Sequence, residues 1–287
     1  MTTLTAADAA RAAITASGVE IRTLEEVADL EAVRRLYEQI WRTGAANPPI
    51  TADLLRAMAK VGSYVSGAYD DGELVGACFG FFSAPERDAL HSHIAGVLPR
   101  VRVRKVGYAL KLHQRAWALE RGAGAITWTY DPLIRRNAWF NLGKLAADVA
   151  EYLPDFYGPM DDDINRADPT DRILIRWPLL APAVDAACAG TPRALDGAAL
   201  RTHGAAVALE ASAADGPIVR PVGRASYART VLVGVPDDIE ALREHDPALA
   251  GAWRGALREV LGGLLEDGGR VTGFDRNGWY IVERTTA

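Results

Sequence analysis

The chain has 287 residues, of which 49% are hydrophobic, and carries a formal net charge of −5. That length allows one large domain or two modest ones, and the acidic total argues against a dedicated nucleic-acid-binding protein. Cys78 and Cys188 lie far apart without CxxC spacing, which argues against a disulfide framework and a structural zinc site. No leader-like or membrane-spanning run occurs, so we expect a cytoplasmic protein with no membrane or nucleic-acid partner.

The first eighty residues predict helices followed by a hairpin. Spacing of apolar residues and the positions of Gly, Pro and Thr set the limits of each element. The turn signal Asp-Asp-Gly at 70–72 joins the last two strands. The predicted elements are a helix over 5–17 ended by Gly18, a strand over 19–22, helices over 29–41 and from a Thr51 cap to Gly62, and strands over 64–69 and 74–82.

A short basic loop follows the next strand. The strand covers 90–98 and ends at Pro99, the loop covers 100–107, and a helix then runs to Gly122 before a strand over 126–130. The free N–H groups and positive dipole end of a helix N-terminus bind anions, and nearby cations add charge. Runs of charge are usually solvated surface, but the position between a strand end and a helix start favours a phosphate site. The cations are Arg100, Arg102, Arg104 and Lys105.

The second half of the chain is less regular. The pattern predicts a helix over 137–145, a mixed stretch over 147–157 and a strand over 172–177 before Pro178. Residues 178–226 are rich in Ala, Gly and Pro with weak periodicity, so we expect a connector with irregular structure. The last part predicts a strand over 231–235, a long helix opened by Pro236, and a hairpin of 270–274 and 279–283 around Asn277-Gly278.

This order of elements resembles the GNAT acyltransferase superfamily. The resemblance is carried by Val97-Leu98-Pro99, by 102–107, and by further groups at 131–133, 136–138, 140–141 and 144–145. More narrowly, the chain looks like a bacterial group of predicted GNAT acetyltransferases marked by LHSH, ITWT(F/Y)DPL, RNAxFN and a closing GWYxxER. That likeness covers about 19–284.

The resemblance implies an α/β (α+β) fold with a mixed central sheet, splayed strands and flanking helices. It implies a GNAT acyl-CoA-binding domain over 1–180 and an extension over 181–287 with a small strand–helix–hairpin α/β subdomain. The implied cofactor is acetyl-CoA or another acyl-CoA, whose pantetheine arm enters between the two splayed strands. The implied partner is a small-molecule amine, and a homodimer is compatible with the sequence.

The superfamily's pyrophosphate loop, (Q/R)xxGx(G/A), matches residues 102–107 here. Lys105 stands where the first glycine is expected; it would keep the backbone shape and add a cation, or crowd the pocket. A second register over 104–109 fits the pattern literally, but Gly107 aligns better with the family's GxxL helix start. The implied cofactor-binding residues are Val97 and Leu98 through main chain, then Arg102, Val103, Arg104, Lys105, Val106, Gly107, Tyr108, Ala109, Asn137 and Asn141.

Four residues are candidates for catalysis. His91 and His93 point to the same face of one strand, where one of them would take the amine's proton or simply be a structural histidine. A His-x-His pair can also bind metal, but no further cluster of ligands in the sequence supports that, so we expect none. Asp131 would orient a substrate ammonium or form a turn before Pro132. Many GNATs place a thiolate-protonating tyrosine where this chain has Leu142; Tyr157 would replace it, or is a core or turn residue.

Two functions are consistent with these residues. The first is an acyl-CoA-dependent N-acyltransferase, with acetyl as the default donor and succinyl as an alternative, acting by direct transfer to a small amine or amino acid. The second is a GNAT-like module that binds acyl-CoA or a protein partner without catalysis. Lys105 and Leu142 are the two departures that motivate this alternative.

Overall fold

A computed structural model describes residues 5–43, 48–158, 168–220 and 228–284. The chain divides into two compact units, the first formed by Met1–Trp128 with Pro178–Ala189 and the second by Thr129–Trp177 with Gly190–Ala287. The expected domains, 1–180 and 181–287, stay a prediction. Within the described ranges, every helix is too short or too polar to cross a bilayer.

The helices and strands are numbered in chain order. The α-helices are α1 (Ala6–Ser17), α2 (Val27–Trp41), α3 (Ala52–Lys60), α4 (Val106–Glu120), α5 (Arg135–Ala138), α6 (Pro182–Cys188), α7 (Gly197–Thr202), α8 (Ile239–His245), α9 (Pro247–Leu257) and α10 (Gly263–Glu266). The strands are β1 (Glu20–Thr23), β2 (Tyr64–Asp70), β3 (Glu73–Phe82), β4 (Ala89–Val97), β5 (Ala125–Tyr130), β6 (Asp148–Leu153), β7 (Arg172–Pro178), β8 (Ala206–Ala211), β9 (Pro217–Val219), β10 (Thr230–Gly234), β11 (Arg270–Phe274) and β12 (Trp279–Glu283).

The first unit is built on a mixed sheet, as predicted. Strands β1 to β4 are antiparallel neighbours in sequence order, and β5 joins β4 in parallel. The β2–β3 turn places Asp71 at φ 48° and Gly72 at φ 82°, the left-handed pair that the Asp-Gly signal predicted. The order of strands, helices and loop that carries the family resemblance is confirmed over this unit.

Helices cover both faces of this sheet. On one face, α4 lies so close to β3 that a side chain at Gly80 would meet Gln114 Nε2 at 3.2 Å. On the other face, α2 packs onto β4: Tyr37 donates to the carbonyl of Ile94 at 3.3 Å, and a side chain at Gly96 would meet the Trp41 ring at 2.6 Å. The flanking helices of the predicted architecture are thereby confirmed.

Strand β4 contains a β-bulge. Ser92 pairs with Gly80 and Ile94 pairs with Phe79, so His93 is the extra, unpaired residue on β4. The parallel ladder to β5 consists of three pairs and ends at His91 opposite Thr127, although β4 continues for six described residues to Val97. The hydrogen-bonded ladder between the two strands therefore ends just before the bulge, as the predicted splay requires.

The second unit contains an antiparallel pair, β6 with β7, and a sheet in the order β11-β12-β10-β8-β9. The predicted C-terminal strand and hairpin are confirmed, whereas the long helix predicted after Pro236 is interrupted at Asp246, between α8 and α9. Two expectations were wrong. The stretch 147–157 holds β6, and the stretch 178–226 holds α6, α7, β8 and β9 among its described residues. β8 lies inside this sheet because it pairs in parallel with β10, a contact that its Ala-rich sequence does not signal.

The helix predicted over 137–145 begins earlier and changes pitch. After α5, residues Trp139–Lys144 form a π-helical segment. A side chain at Gly143 would overlap the Trp139 ring at 2.3 Å, so the ring packs on a glycine backbone in the widened turn.

A buried network of opposite charges holds the second unit together. Arg254 donates to both carboxylate oxygens of Asp131 at 2.9 Å, and Arg243 donates to Asp131 at 2.6 Å. Both arginines also donate to Asp168, at 3.0 and 2.8 Å. Side-chain exposure of all four residues is 6% or less, so segments more than 100 residues apart are joined by ion pairs shielded from water.

The closing sequence motif also serves this unit. Tyr280 donates to the carbonyl of Pro132 at 2.7 Å and lies 3.3 Å from the hydroxyl of Tyr130. The DPL motif and the GWYxxER motif, which stand 150 residues apart in the sequence, are therefore in direct contact. Their shared role is structural.

Candidate functional site

The basic loop of the first unit is a tight turn between β4 and α4. Residues Pro99–Arg104 form a 3₁₀ turn, and Lys105 then takes a left-handed conformation with φ 62° and ψ 26°. The N–H of Lys105 donates to Arg102 at 3.1 Å, and its carbonyl accepts from Tyr108 at 2.9 Å. A glycine adopts this conformation without strain, so the backbone has the shape that the family pattern expects at this position.

Two of the four loop cations are engaged within the protein. Arg104 donates to both oxygens of Asp70, at 2.5 and 3.1 Å, and to the carbonyls of Ser17 and Gly18. Arg100 pairs with Glu73 at 2.5 Å. The side chain of Arg104 thus fixes the loop to α1 and β2, and its phosphate contact stays a prediction.

Arg102 and Lys105 are the remaining cations. Both are exposed, and neither forms an ion pair with the part of the chain that the structure describes. Val103 lies between them with 86% of its surface exposed. Charge and an apolar contact are therefore presented together on the outer side of the loop.

The start of α4 offers room and N–H donors. In any α-helix the first N–H groups lack a partner within the helix, and here they belong to Val106 and Gly107. A side chain at Gly107 would meet only Val97 Cγ1, at 3.9 Å. Val106 and Ala109 are buried against the sheet. The hydroxyl of Tyr108 donates to the carbonyl of Ala187 at 3.3 Å, and burial raises the pKa of Tyr108 to about 12.

The two main-chain donors predicted at the end of β4 differ. The N–H of Leu98 donates to the carbonyl of Val75 at 2.9 Å, so it is used within the sheet, and its main-chain contact with a cofactor stays a prediction. Successive N–H groups of a strand point to opposite edges. The N–H of Val97 therefore points away from β3, toward the edge on which β4 has left β5.

His91 and His93 lie on one face of β4 as predicted, with ring centroids 6.2 Å apart. Nδ1 of His91 lies 3.1 Å from Thr127 Oγ1, and burial, followed by the charges of His93 and Lys111, lowers the pKa of His91 to about 4. The more exposed His93 packs edge-on against Phe79, with ring centroids 6.0 Å apart, and partial desolvation lowers its pKa. Both imidazoles are neutral near pH 7 and can accept a proton.

Asp131 and Tyr157 belong to the second unit. The Asp131 carboxylate accepts the N–H of Leu133 at 3.0 Å, as a turn-forming aspartate does, and lies between Arg243 and Arg254. Burial alone would raise the pKa of Asp131, but the charges and hydrogen bonds of these two arginines hold it well below its usual value. With both oxygens occupied, the geometry favours the turn alternative over contact with a substrate ammonium.

Tyr157 is 43% exposed, with its hydroxyl 3.1 Å from Thr129 Oγ1 and the Arg172 guanidinium 5.2 Å from its ring centroid. Asn137 is the third residue of α5, which begins at Arg135, so the N-cap alternative does not hold. Asn141 is 3% exposed within the π-helical segment. The acid role of Tyr157 and the cofactor contacts of Asn137 and Asn141 remain predictions.

The sequence reasoning did not single out Lys111. This lysine of α4 is 5% exposed, and its Nζ donates to Ser92 Oγ at 2.8 Å and to Gln114 Oε1 at 3.1 Å. Cys78 Sγ lies 3.7 Å from the same Ser92 hydroxyl. A signal was present: Gly107, Lys111, Gln114 and Ala118 follow one line along the helix, so the two polar residues lie between small ones on the side that packs closest.

No protein-family model matches the sequence, and no curated protein matches it. Solved structures do share its backbone shape. An N-acetyltransferase of Staphylococcus aureus is 16% identical over 56% of this chain and 98% of its own, with a TM-score of 0.47. The ribosomal-protein-S18-alanine N-acetyltransferase of Escherichia coli is 17% identical over 56% and 94%, with a TM-score of 0.45. A GNAT superfamily phosphinothricin acetyltransferase of Sinorhizobium meliloti, solved with acetyl-CoA, is 14% identical over 56% and 88%, with a TM-score of 0.47.

Proposed function

We propose that this chain is an acyl-CoA-dependent N-acyltransferase that transfers an acyl group directly to a small amine. The observation that carries the proposal is the turn between β4 and α4: a 3₁₀ segment, a left-handed Lys105 and a helix start, with Arg102 and Lys105 free of ion pairs in the described chain. Diphosphate groups bind where helix N–H donors and cations converge. Acetyl-CoA is the default donor, and succinyl-CoA is an alternative.

The residues of the first unit fit such a donor. Arg102, Lys105 and the N–H groups of Val106 and Gly107 would hold the diphosphate. The pantetheine arm would lie along the unpaired edge of β4, where the N–H of Val97 would donate to an amide carbonyl of the arm. When bound, the acyl-CoA supplies the reactive thioester.

His93 would accept the proton that the amine loses. It is neutral near pH 7, exposed, and located at the bulge where β4 leaves β5. His91 is a weaker base with a pKa of about 4, and its contact with Thr127 suits a positioning role. The acceptor would then lie on the His91–His93 face of the strand.

Calorimetry with CoA tests the loop. Replacing Arg102 by Ala should weaken CoA binding by about 1–3 kcal/mol, because a charge-assisted contact is lost. Lys105→Gly keeps the left-handed backbone and removes only the cation, so it should weaken binding by about 1 kcal/mol.

Arg35→Ala, an exposed arginine of α2 with 61% side-chain exposure, is the matched control and should leave the CoA affinity unchanged. An unaltered affinity in Arg102→Ala would remove the loop assignment. Tighter binding by Lys105→Gly would mean that this lysine crowds the site.

A module that binds acyl-CoA without catalysis is the second candidate. Leu142, 7% exposed in the π-helical segment, has no hydroxyl at the position where the family's proton donor stands. A thiol-release assay over a panel of small amines and amino acids separates the two functions. Tight CoA binding with no turnover on any amine would favour the module.

A further inference from the structure

The ammonium of Lys111 lies where β4 and β5 separate. It donates to Ser92 on β4 at 2.8 Å and lies 3.9 Å from the centroid of the Trp128 ring on β5. Ser92 and Trp128 are the first residues beyond the last ladder pair, His91 with Thr127. The ammonium therefore spans the two strands from the α4 side, at the closed end of the gap between them.

This charge is buried without a carboxylate. Lys111, Ser92 and Gln114 are 5%, 4% and 0% exposed, and in the described chain no acidic side chain pairs with the ammonium. The amide nitrogen of Gln114 has no hydrogen-bond partner there either. Burying an unpaired charge is expensive, and titratable groups kept in such surroundings concentrate at functional sites.

The inference about this cluster rests on the proposed function. A donor held at the loop would extend along β4 from Val97 toward Ser92, a length of about 20 Å for six residues. Its thioester would then reach the closed end of the gap. The hydroxyl of Ser92 would stand beside the sulfur, with Lys111 directly behind it.

We propose that Ser92 protonates the leaving CoA thiolate and that Lys111 supplies the proton. The amine nitrogen bonds to the carbonyl carbon, the carbon–sulfur bond breaks, and its electron pair stays on sulfur. Sulfur takes the hydroxyl proton of Ser92, and Ser92 takes one from the Lys111 ammonium. The proton lost by the amine goes to His93, and the neutral Lys111 recovers a proton from solvent after the products leave.

The acidity of Lys111 suits this transfer. Burial lowers its pKa from 10.5 to about 8. A thiol has a pKa of about 8.5 in water. Proton transfer between groups of matched acidity has no large uphill step, and this pair would do the work that a tyrosine at position 142 does elsewhere in the superfamily.

Titration of bound CoA tests the geometry without turnover. The probe is free CoA, whose thiolate is followed by ultraviolet absorbance in complex with the wild-type chain, with Lys111→Met and with Lys60→Met. A nearby ammonium should lower the thiol pKa by about 1–3 units in the wild-type complex. The shift should disappear in Lys111→Met and persist in Lys60→Met, where an exposed lysine of α3 is removed. A bound thiol that titrates like free CoA would overturn the proposal, and this result needs no variant.

Turnover adds the second readout. Ser92→Ala should lower kcat about 10²-fold with little change in KM for the acyl donor. Lys111→Arg keeps the positive charge but does not release its proton. It should therefore preserve the lowered pKa of the bound thiol. It should restore neither kcat nor the fall of kcat at alkaline pH that loss of the Lys111 proton causes in the wild-type chain. Full turnover in both variants would refute the relay.

The two proposals fail in different ways. A wild-type chain that does not bind CoA overturns the acyl-CoA function and the relay with it. A chain that binds CoA and acylates amines, yet shows an unshifted thiol, overturns only the relay.

Discussion

Arg254 and Lys111 are both buried cations, yet their surroundings are opposite. Arg254 lies between the carboxylates of Asp131 and Asp168, with Arg243 as a second cation, so opposite charges balance. Lys111 lies among a hydroxyl, an amide oxygen and an indole ring, none of which carries charge. The first arrangement holds an arginine permanently charged, whereas the second leaves a lysine able to give up its proton.

The difference separates a buried charge that is balanced by its neighbours from one that burial destabilises. In the second unit each charge stabilises its neighbours, and no proton needs to move. In the first unit the ammonium is destabilised by burial, and a pKa of about 8 leaves it poised to titrate. Both pKa values are lowered, with opposite consequences. The lowered pKa of Asp131 favours its charged form, and the lowered pKa of Lys111 favours its neutral form.

The largest effect is expected for Asp131→Asn. Removing this carboxylate leaves Arg243 and Arg254 buried with too little negative charge, so the free energy of unfolding should fall by about 3–5 kcal/mol in a urea titration. Because the pKa of Asp131 is depressed in the folded chain, its contribution is present above the unfolded pKa, about 4, and is lost as the pH falls through the folded value.

Asp237→Asn is the matched control, because Asp237 also pairs with an arginine, Arg135, but its side chain is 93% exposed. We expect a loss below about 1 kcal/mol there. Equal losses in the two variants would contradict the special status of the buried network.

A smaller effect, with a defined pH dependence, is expected for Lys111. Between about pH 8 and 10.5 the unfolded chain holds the lysine proton and the folded chain does not, so this group makes the free energy of unfolding rise with pH. From about pH 7 to about pH 10, the stability of the wild-type chain relative to Lys111→Met should rise by about 2 kcal/mol. Lys60→Met should show no such trend, and a flat difference for Lys111→Met would mean that its ammonium is not destabilised by burial.

The smallest effect is expected at an exposed pair of the second unit. Arg270 on β11 faces Glu283 on β12 at 3.0 Å, with side-chain exposures of 70% and 37%. Glu283→Gln should change the free energy of unfolding by less than about 1 kcal/mol in urea, because water screens the pair. A loss approaching that of Asp131→Asn would show that burial is not what separates the two classes of ion pair.

Local signals predicted much of the fold. The Asp-Gly and Asn-Gly turns, the glycine after α1 and the apolar periodicity of α2 and α4 depend on neighbours in the sequence, and these elements lie where expected. Strand β8 was missed because its sequence, AVALEA, has no strand signal of its own, and its pairing with β10 supplies the conformation.

The site was predicted only in part for a similar reason. The loop and the histidine pair were visible as short motifs. The partners of Arg104 are Asp70 and the end of α1, and those of Asp131 lie more than 100 residues away, so neither could be read locally. Lys111 was missed because a lysine on a helix is usually solvated, and its burial depends on how α4 packs under β4.

The bulge at His93 determines which way the end of β4 faces. Because one extra residue lies at that point, every side chain and N–H group from Ile94 to Val97 faces the side opposite to the one that an unbroken strand would give it. If β4 ran unbroken with all its residues kept, the N–H of Val97 would instead point toward β3, although no side chain near the loop would have changed. The outward-facing N–H at Val97 therefore depends on a backbone irregularity four residues earlier in the strand.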